Sequence, residues 1–423
     1  MLKSYLRIAW RNLIRSKLHS SINLAGLSVG MAVAILIALW IYDEVSYNRN
    51  FSNYDRIGQL WQFVSFTKEK SSYTVIPLPV GDELRAKYPD FKYVASTSDD
   101  LHVTLGIGDK KITQIGRYAE PDMAEMLSLH MLSGDRHALK DMHSMLISAT
   151  LARSLFGKED PMGKTLSLDN SITANVAGVY EDLPLNSSFA DLSFLAPWEL
   201  YASSADWIRN ARTEWDNNSW PMYAQLKEGA DFKNVSEKIR DIRMKQNDPP
   251  KYKPEFFVFP MKRWHLYSDF TNGVNTGGLI QFVWLFGTIG VFVLLLAFIN
   301  FMNLSTARSE RRAREAGIRQ AIGSVRKWLV FQFYSESLLM ALLAFGFALF
   351  LVAASLPWFN IAAGKELHMP WLNPFFWILG LGFTFLTGLI AGSYPALYLS
   401  SFKPIKVLKR TFKAGRLSSL PTL

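Results

Sequence analysis

The stretch SSINLAGLSVGMAVAILIALWIY, residues 20–42, decides the class of this chain, because its 23 residues carry no charge. A helix needs about 20 apolar residues to cross ~30 Å of hydrocarbon, so the stretch reads as a membrane span. Three further uncharged runs exceed that length: 38 residues from Phe270 to Ala307, 28 from Ser337 to Gly364 and 36 from Leu367 to Phe402. The reading is a membrane protein with four transmembrane helices, at 20–42, 279–302, 330–356 and 374–399. The first run is longer than the roughly 7–15 residues of a signal-peptide core and no A-x-A site follows it, so it is expected to stay attached.

Lys and Arg in the short connections set the orientation. Residues 1–19, 303–328 and 400–423 together hold 18 basic residues and two acids, whereas residues 43–278 hold 27 basic and 32 acidic. Both termini are therefore expected on the inside of the membrane and 43–278 on the outside. The formal charge of +10 is then mostly a topology signal, and nucleic acid has no support as a partner. With 49% hydrophobic and 19% charged residues the chain is not disordered. The lack of cysteine removes disulfides, thiolate metal sites and cysteine nucleophiles.

On the inner face, Lys3, Arg7, Arg11 and Arg15 recur every four residues. Residues 1–19 read as an amphipathic helix on the inner leaflet with lipid headgroups as partners; a plain topogenic anchor is the other reading. The cytoplasmic segment 303–329 contains ARSERRAREAGIRQAIGSVRKWL. Ile318, Ala321, Ile322, Val325 and Leu329 form an apolar stripe, and Arg311, Glu315 and Arg319 a charged one. Such a helix is suited to dock on a partner; a solvated basic loop that serves only topology is the other reading. Gly317 costs about 1 kcal/mol in a helix interior and marks a bend or close contact, and Gly323-Ser324 reads as a helix stop. Glu336 lies inside the third span, where an ionisable group is a functional candidate or a snorkelling one. Gly392 and Pro395 predict a kink in the fourth span. The outer loop is 357–373, and 400–423 is a basic tail.

Within 43–278, strands at 57–66, 91–97, 221–227 and 255–260 and helices at 79–88 and 231–246 form two β-α-β units. They predict a split, ferredoxin-like α/β layer of 43–99 plus 216–265. An inserted lobe, 100–215, carries a hairpin at Gly108-Asp109, a helix at 144–156 and strands at 164–168 and 172–180. The chain leaves and re-enters the membrane beside the α/β layer, so that layer is expected to be membrane-proximal and the insert distal.

Three chemistries fail. GKEDPMGKT at 157–165 has five residues between its glycines where a phosphate loop has four, and it places Glu159, Asp160 and Pro161 where phosphate would bind. His130, His137 and His143, with Asp135 and Asp141, fit no single face and read as a solvated loop rather than a metal site. No hydrolase motif stands in a convincing context. No catalytic residue, metal or cofactor is expected.

The layout of one helix, a large external domain, three more helices and a basic amphipathic loop resembles the MacB/FtsX-type permeases of ABC transporters, the mechanotransmission type (type VII). The resemblance runs along the chain through YLRIAWRNLIRSKLHSSINLAGLSVGMA (5–32), LFGKEDPMGKTLSL (155–168), REAGIRQAIG (314–323) and GSYPALYLSSFKPIKVLK (392–409). In wording it is most similar to tandem permeases common in Bacteroidetes-type bacteria. Only one repeat is present here, which implies a half-size subunit or one half of a tandem chain. The resemblance implies that Arg314, Glu315, Gly317, Ile318, Arg319, Ala321, Ile322 and Gly323 couple to a separate cytoplasmic ATPase subunit. Ala316 and Gln320 depart from the aliphatic and basic residues frequent there. It further implies a second permease copy, a periplasmic adaptor or outer-membrane partner, and efflux or extraction of periplasmic cargo without passage through a wide pore in the inner membrane. A membrane-anchored periplasmic enzyme or receptor, or a scaffold that activates an envelope partner without transport, are the alternatives.

Overall fold

The computed structural model describes residues 10–11, 17–66, 69–321 and 326–400; of residues 19, 305–321, 326–330, 332–333, 391–392 and 394–400 it describes the backbone alone. The chain divides into an α/β unit, residues 43–283, and a helical unit, residues 1–42 with 284–423. The first long helix is α1 (Lys17–Val45). The α/β unit runs β1 (Ile57–Ser65), β2 (Lys70–Tyr73), β3 (Val75–Ile76), α2 (Pro79–Lys87), β4 (Phe91–Ser96), β5 (Leu101–Ile107), β6 (Lys110–Ala119), β7 (Met131–Gly134), β8 (Ser144–Ser148), α3 (Ala149–Phe156) and β9 (Thr165–Leu168). It continues with β10 (Ile172–Tyr180), β11 (Phe194–Pro197), β12 (Trp220–Leu226), α4 (Phe232–Ile239), β13 (Glu255–Pro260) and a hairpin of β14 (Asp269–Thr271) and β15 (Val274–Gly277). Three helices follow: α5 (Ile280–Ala321), α6 (Arg326–Ala363) and α7 (Pro374–Ser400).

The first sheet is ordered β13-β1-β12-β4 with every neighbour antiparallel, and β2 and β3 add to β1 and β12. Its connections β1-α2-β4 and β12-α4-β13 lay both helices on one face. Leu60, Val80, Leu84, Val94, Met222, Ala224, Val235, Ile239 and Val258 form the core there. Pro79 opens α2, where a missing N–H costs nothing. Asp231 caps α4 by accepting from the Asn234 N–H. α4 ends at Ile239, well short of 246. The reason is Arg243, 2% exposed, whose guanidinium donates to Asn247 O, Asp248 O and the Asp216 carboxylate. Those bonds turn the chain into a 3-10 segment at Arg243–Lys245, so tertiary bonding overrides helix propensity.

The second sheet runs β10-β8-β11-β6-β5-β9, and β9 pairs back onto β10, closing the strands into a ring with β7 added to β10. Closure leaves those strands no free edge. Val103, Leu105, Met145, Ile147, Leu166, Leu168, Val176 and Phe194 fill its core. Gly116 is required in β6: a Cβ there would lie 2.2 Å from the Phe194 ring. Residues 144–156, expected as one helix, are strand β8 followed by α3. SMLIS is buried at every position between β10 and β11, the environment of a central strand. The Ser148 hydroxyl accepts from the Leu151 N–H and starts the helix there. The two sheets share a further apolar cluster in which Ile57, Ala95 and Tyr223 of the first meet Leu146, Tyr180 and Leu195 of the second.

In the helical unit, Ser20–Val45, Ile280–Leu304 and Tyr334–Ala363 are long and apolar enough to cross a membrane; the apolar part of α7, Pro374–Ile390, is shorter among the described residues. Leu27 and Met31 of α1 pack with Ala297 and Phe301 of α5 and with Met340, Ala344, Phe345 and Ala348 of α6. Gly30 permits this approach, since a Cβ there would sit 2.5 Å from the Ala297 Cβ. Within the segment 303–329, the helix expected around Arg314–Gly323 is continuous with the apolar run before it as far as Ala321. α5 continues unbroken for 42 residues to Ala321, about 63 Å at 1.5 Å per residue. α6 opens at Arg326, and 322–325 lie outside the described residues. The Ala, Arg and Glu of ARSERRAREA are strong helix formers and provide nothing to stop the helix begun by the apolar run.

Candidate functional site

Arg314, Glu315, Gly317, Ile318, Arg319 and Ala321 all fall on the last turns of α5. They belong to the same rod as the apolar stretch that ends at Leu304, and the helix passes through Gly317. Their side chains, and Ile322 and Gly323 entirely, lie outside what is described. Glu336 is half-buried in α6 and is engaged by a neighbour; the adjacent Ser337 is 5% exposed. Gly392 and Pro395 lie within the helical backbone of α7, with side chains outside the described ones. The basic stripe of residues 1–19 and the tail beyond Ser400 also lie mainly outside the described residues.

A second constellation has no counterpart in the sequence reading. It stands where the chain enters the α/β unit. Glu44, in the last turn of α1, is buried, and its Oε2 lies 2.5 Å from Nε2 of His265. Which of the two atoms donates depends on the tautomer of the imidazole. The Tyr47 ring stacks on His265 at 3.7 Å between centroids, with 4° between planes, and its hydroxyl donates to Ser187 O at 3.2 Å. Asn48 is fully buried with φ of 65°. Its N–H donates to Asn186 O at 2.9 Å, its Nδ2 to Ser188 Oγ at 2.9 Å, and its Oδ1 accepts from the Ser188 N–H at 2.7 Å. Residues 44–48 are thus fastened to 186–188 and to 265.

From there the packing continues inward. Phe189 meets Phe51, Tyr223 and Trp264 edge-on, and the Arg117 guanidinium lies 5.2 Å from its ring centroid. Arg117 of β6 grips both oxygens of Asp100 at 2.5 and 2.9 Å and donates to Tyr223 Oη of β12 at 2.7 Å. Burial works against its charge, yet Tyr223 and Asp100 outweigh that and raise its pKa above the ordinary arginine value. One aromatic and ionic path therefore joins the end of α1 to both sheets. The only local sequence signals were a carboxylate at the edge of an apolar run and an Asn-Ser-Ser turn.

Among the described residues, no three His, Asp or Glu side chains gather as metal ligands. His130 pairs with Glu181 at 3.0 Å, and His137 with Asp135 at 2.9 Å. In GKEDPMGKT, Gly163 donates its N–H to Val176 O and Lys164 pairs with Glu159 at 3.6 Å.

A model of the MacB-like periplasmic core domain matches residues 20–242, and one of the FtsX-like permease C-terminal region matches residues 287–404. The macrolide export ATP-binding/permease protein MacB of Bdellovibrio bacteriovorus is 26% identical over 275 residues, covering 62% of this chain and 38% of that one. The protein of the same name from Escherichia coli K12 is 21% identical over 421 residues, covering 96% of this chain and 60% of that one. The chain thus spans less than two thirds of the length of both relatives. Among solved structures, a domain of a putative permease from Porphyromonas gingivalis covers 50% of this chain and 92% of its own, with a TM-score of 0.42 and 23% identity. The periplasmic region of MacB from Actinobacillus actinomycetemcomitans covers 50% and 91%, with a TM-score of 0.36 and 12% identity. With the periplasmic-core model spanning more than half of the residues and the permease model most of the helical remainder, the chain belongs to the MacB/FtsX-type permeases of ABC transporters.

Proposed function

We propose that this permease carries an ATP-driven conformational change from a separate cytoplasmic ATPase to the α/β unit on the periplasmic side of the inner membrane, in the service of efflux or extraction of periplasmic cargo. α1, α5, α6 and α7 are its four spans, both termini are cytoplasmic, and the α/β unit has two lobes built on its two sheets. The chain hydrolyses nothing itself, and it works beside a second permease copy and a periplasmic adaptor or outer-membrane partner. The names of its relatives make macrolides one cargo to test.

The observation that carries this reading is the continuity of α5. A helix of about 63 Å is roughly twice the hydrocarbon thickness. Its charged end holds Arg314–Ala321, so a push there moves a rod rather than a loop. The path from Glu44 through Asn48 and Phe189 to Arg117 stiffens the α/β unit at the point where α1 ends.

The test is co-purification of the full chain with a co-expressed ATPase. Ile318→Asp combined with Arg319→Glu is expected to release the ATPase while the permease stays folded. An ATPase retained at the wild-type level would overturn the coupling role. The cysteine-free sequence also allows Ser309→Cys and Lys158→Cys to be labelled from opposite sides with an impermeant maleimide. Labelling from the same side would sink the topology.

A further inference from the structure

We propose that the segment MPWLNPFF, Met369–Phe376, which joins α6 to α7, is a wedge seated in the headgroup–acyl boundary of the outer leaflet, with lipid as its ligand. The proposal rests on the membrane placement above. It adds a lipid contact to the expectation that 357–373 is a periplasmic loop.

The polarity of this segment is the reverse of an aqueous loop. It contains no charged residue, and none follows before Lys403. Four of its six backbone N–H groups bond within the segment. Trp371 N–H donates to Met369 O at 2.9 Å, Asn373 N–H to Pro370 O at 3.0 Å and Phe376 N–H to Asn373 O at 3.2 Å. Phe375 N–H donates to Asn373 Oδ1 at 2.9 Å, and the Trp377 indole N–H to Trp371 O at 2.9 Å. Pro370 and Pro374 have no N–H to satisfy. Meanwhile the apolar side chains point outward: Leu372 is 98% exposed, Phe375 72% and Trp371 48%. Hydrocarbon demands internally satisfied backbone, the interface favours Trp, and an exposed apolar patch calls for a partner.

The segment is also held in place. Asn360 near the end of α6 binds Leu367 reciprocally, Nδ2 to Leu367 O and Leu367 N–H to Oδ1, both at 3.0 Å. Leu367 is buried, and Met369 and Phe376 pack onto the core of the helical unit. Trp371 and Leu372 are thus presented on a fixed base.

Lipid fits better than a protein partner because charged residues border the apolar surface on one side only. A protein-docking patch is normally bounded by charged and polar groups. Here exposure continues directly into Ile378 and Leu379 of α7, which are 65% and 71% exposed. The charged pair Lys365-Glu366 lies on one side only.

The test uses the full chain in vesicles of phosphatidylethanolamine and phosphatidylglycerol, with an NBD label on single cysteines: Leu372→Cys, Phe350→Cys within α6, and Lys158→Cys in the α/β unit. At Leu372→Cys, blue-shifted emission is expected, with most of it lost to a lipid spin-labelled near the headgroup, less to one labelled deep in the chain, and little to aqueous iodide. Iodide quenching equal to that at Lys158→Cys would overturn the proposal. So would insensitivity to both quenchers, or a disulfide between two copies of the unlabelled Leu372→Cys variant, which would place protein on the segment. Phe350→Cys separates the two readings: if it responds to spin-labelled lipid and Leu372→Cys does not, the wedge alone fails. If neither responds, the membrane placement fails with it.

Discussion

Oε2 of Glu44 lies 2.5 Å from Nε2 of His265, a contact that closes 221 residues of chain into a loop. Nothing local brings these two together. The carboxylate ends the first apolar helix, and the imidazole stands 15 residues before the second begins at Ile280. The pair fixes the entry and the exit of the α/β unit against each other, with the Tyr47 ring lying flat on the imidazole.

Glu44→Leu should therefore destabilise the α/β unit, since it leaves the His265 ring, 18% exposed, without its partner. The expected loss is about 1–3 kcal/mol, the cost of an orphaned buried polar group. Glu44→Gln, which keeps an acceptor, should lose less. Thermal unfolding of the full chain in detergent ranks the two, and equal midpoints for Glu44→Leu and wild type would show that the pair contributes nothing.

Asn48 sits at φ of 65°, in the left-handed region. Asn48→Gly keeps that conformation and loses the bonds to Ser188; Asn48→Ala loses the bonds and adds strain. Ala should be the worse by about 1 kcal/mol. Urea unfolding measures the difference, and the reverse order would mean that the backbone conformation is incidental.

How much of this was legible in the sequence depended on how local each cause was. The apolar runs are local, and three of them stand as helices long enough to cross a membrane. The stripes around 311–321 read as a helix, but whether it is one rod with the apolar run before Leu304 turns on a stretch where polarity changes and helix propensity does not. Ser144–Ser148 has no pattern that separates a buried strand from a buried helix; only its pairing with β10 and β11 decides. The Asn48–Ser188 and Glu44–His265 contacts are the extreme case, since each half reads as an ordinary polar residue until the fold brings the other.

Gly30 and Gly26 of α1 look equivalent in sequence but not in space. A Cβ at Gly30 meets the Ala297 Cβ at 2.5 Å; at Gly26 it meets the Asn300 Nδ2, the end of a flexible side chain, at 3.1 Å. Gly30→Ala should lower the unfolding midpoint in detergent, Gly26→Ala should change it little, and Ala297→Gly should rescue Gly30→Ala. A failure of that rescue would show that α1 and α5 do not pack through these atoms.

Asp182 predicts an acid-dependent term. Burial raises its pKa, but the bonds from the Thr150 N–H at 2.9 Å and hydroxyl at 2.7 Å, with Arg153 nearby, outweigh it and hold the carboxyl below its ordinary 3.8. A depressed carboxylate contributes stability that is present above its unfolded pKa and lost as pH falls through the folded value. In Asp182→Asn that contribution is absent at every pH. The variant should be less stable than wild type at pH 7, and the two should converge below about pH 4. Unfolding midpoints across that range check the sign, and divergence on acidification would reverse it.

The rod itself gives the last prediction. Ala307 lies three residues past the apolar end of α5 and seven before Arg314, on helical backbone. Ala307→Pro removes one helix hydrogen bond and clashes with the preceding turn, at a cost of about 3 kcal/mol in a helix interior. It changes no residue of the stretch Arg314–Ala321. ATPase co-purification should therefore persist while the ATP-dependent change in an NBD label at Lys158→Cys disappears. Ala307→Leu, an equally good helix former of greater bulk, should keep both. Binding and transmission would then be separable by one residue, because docking needs only the end of α5 whereas transmission needs its unbroken length. If Ala307→Pro kept the ATP-dependent signal at full size, motion would have to reach the α/β unit by a route other than α5.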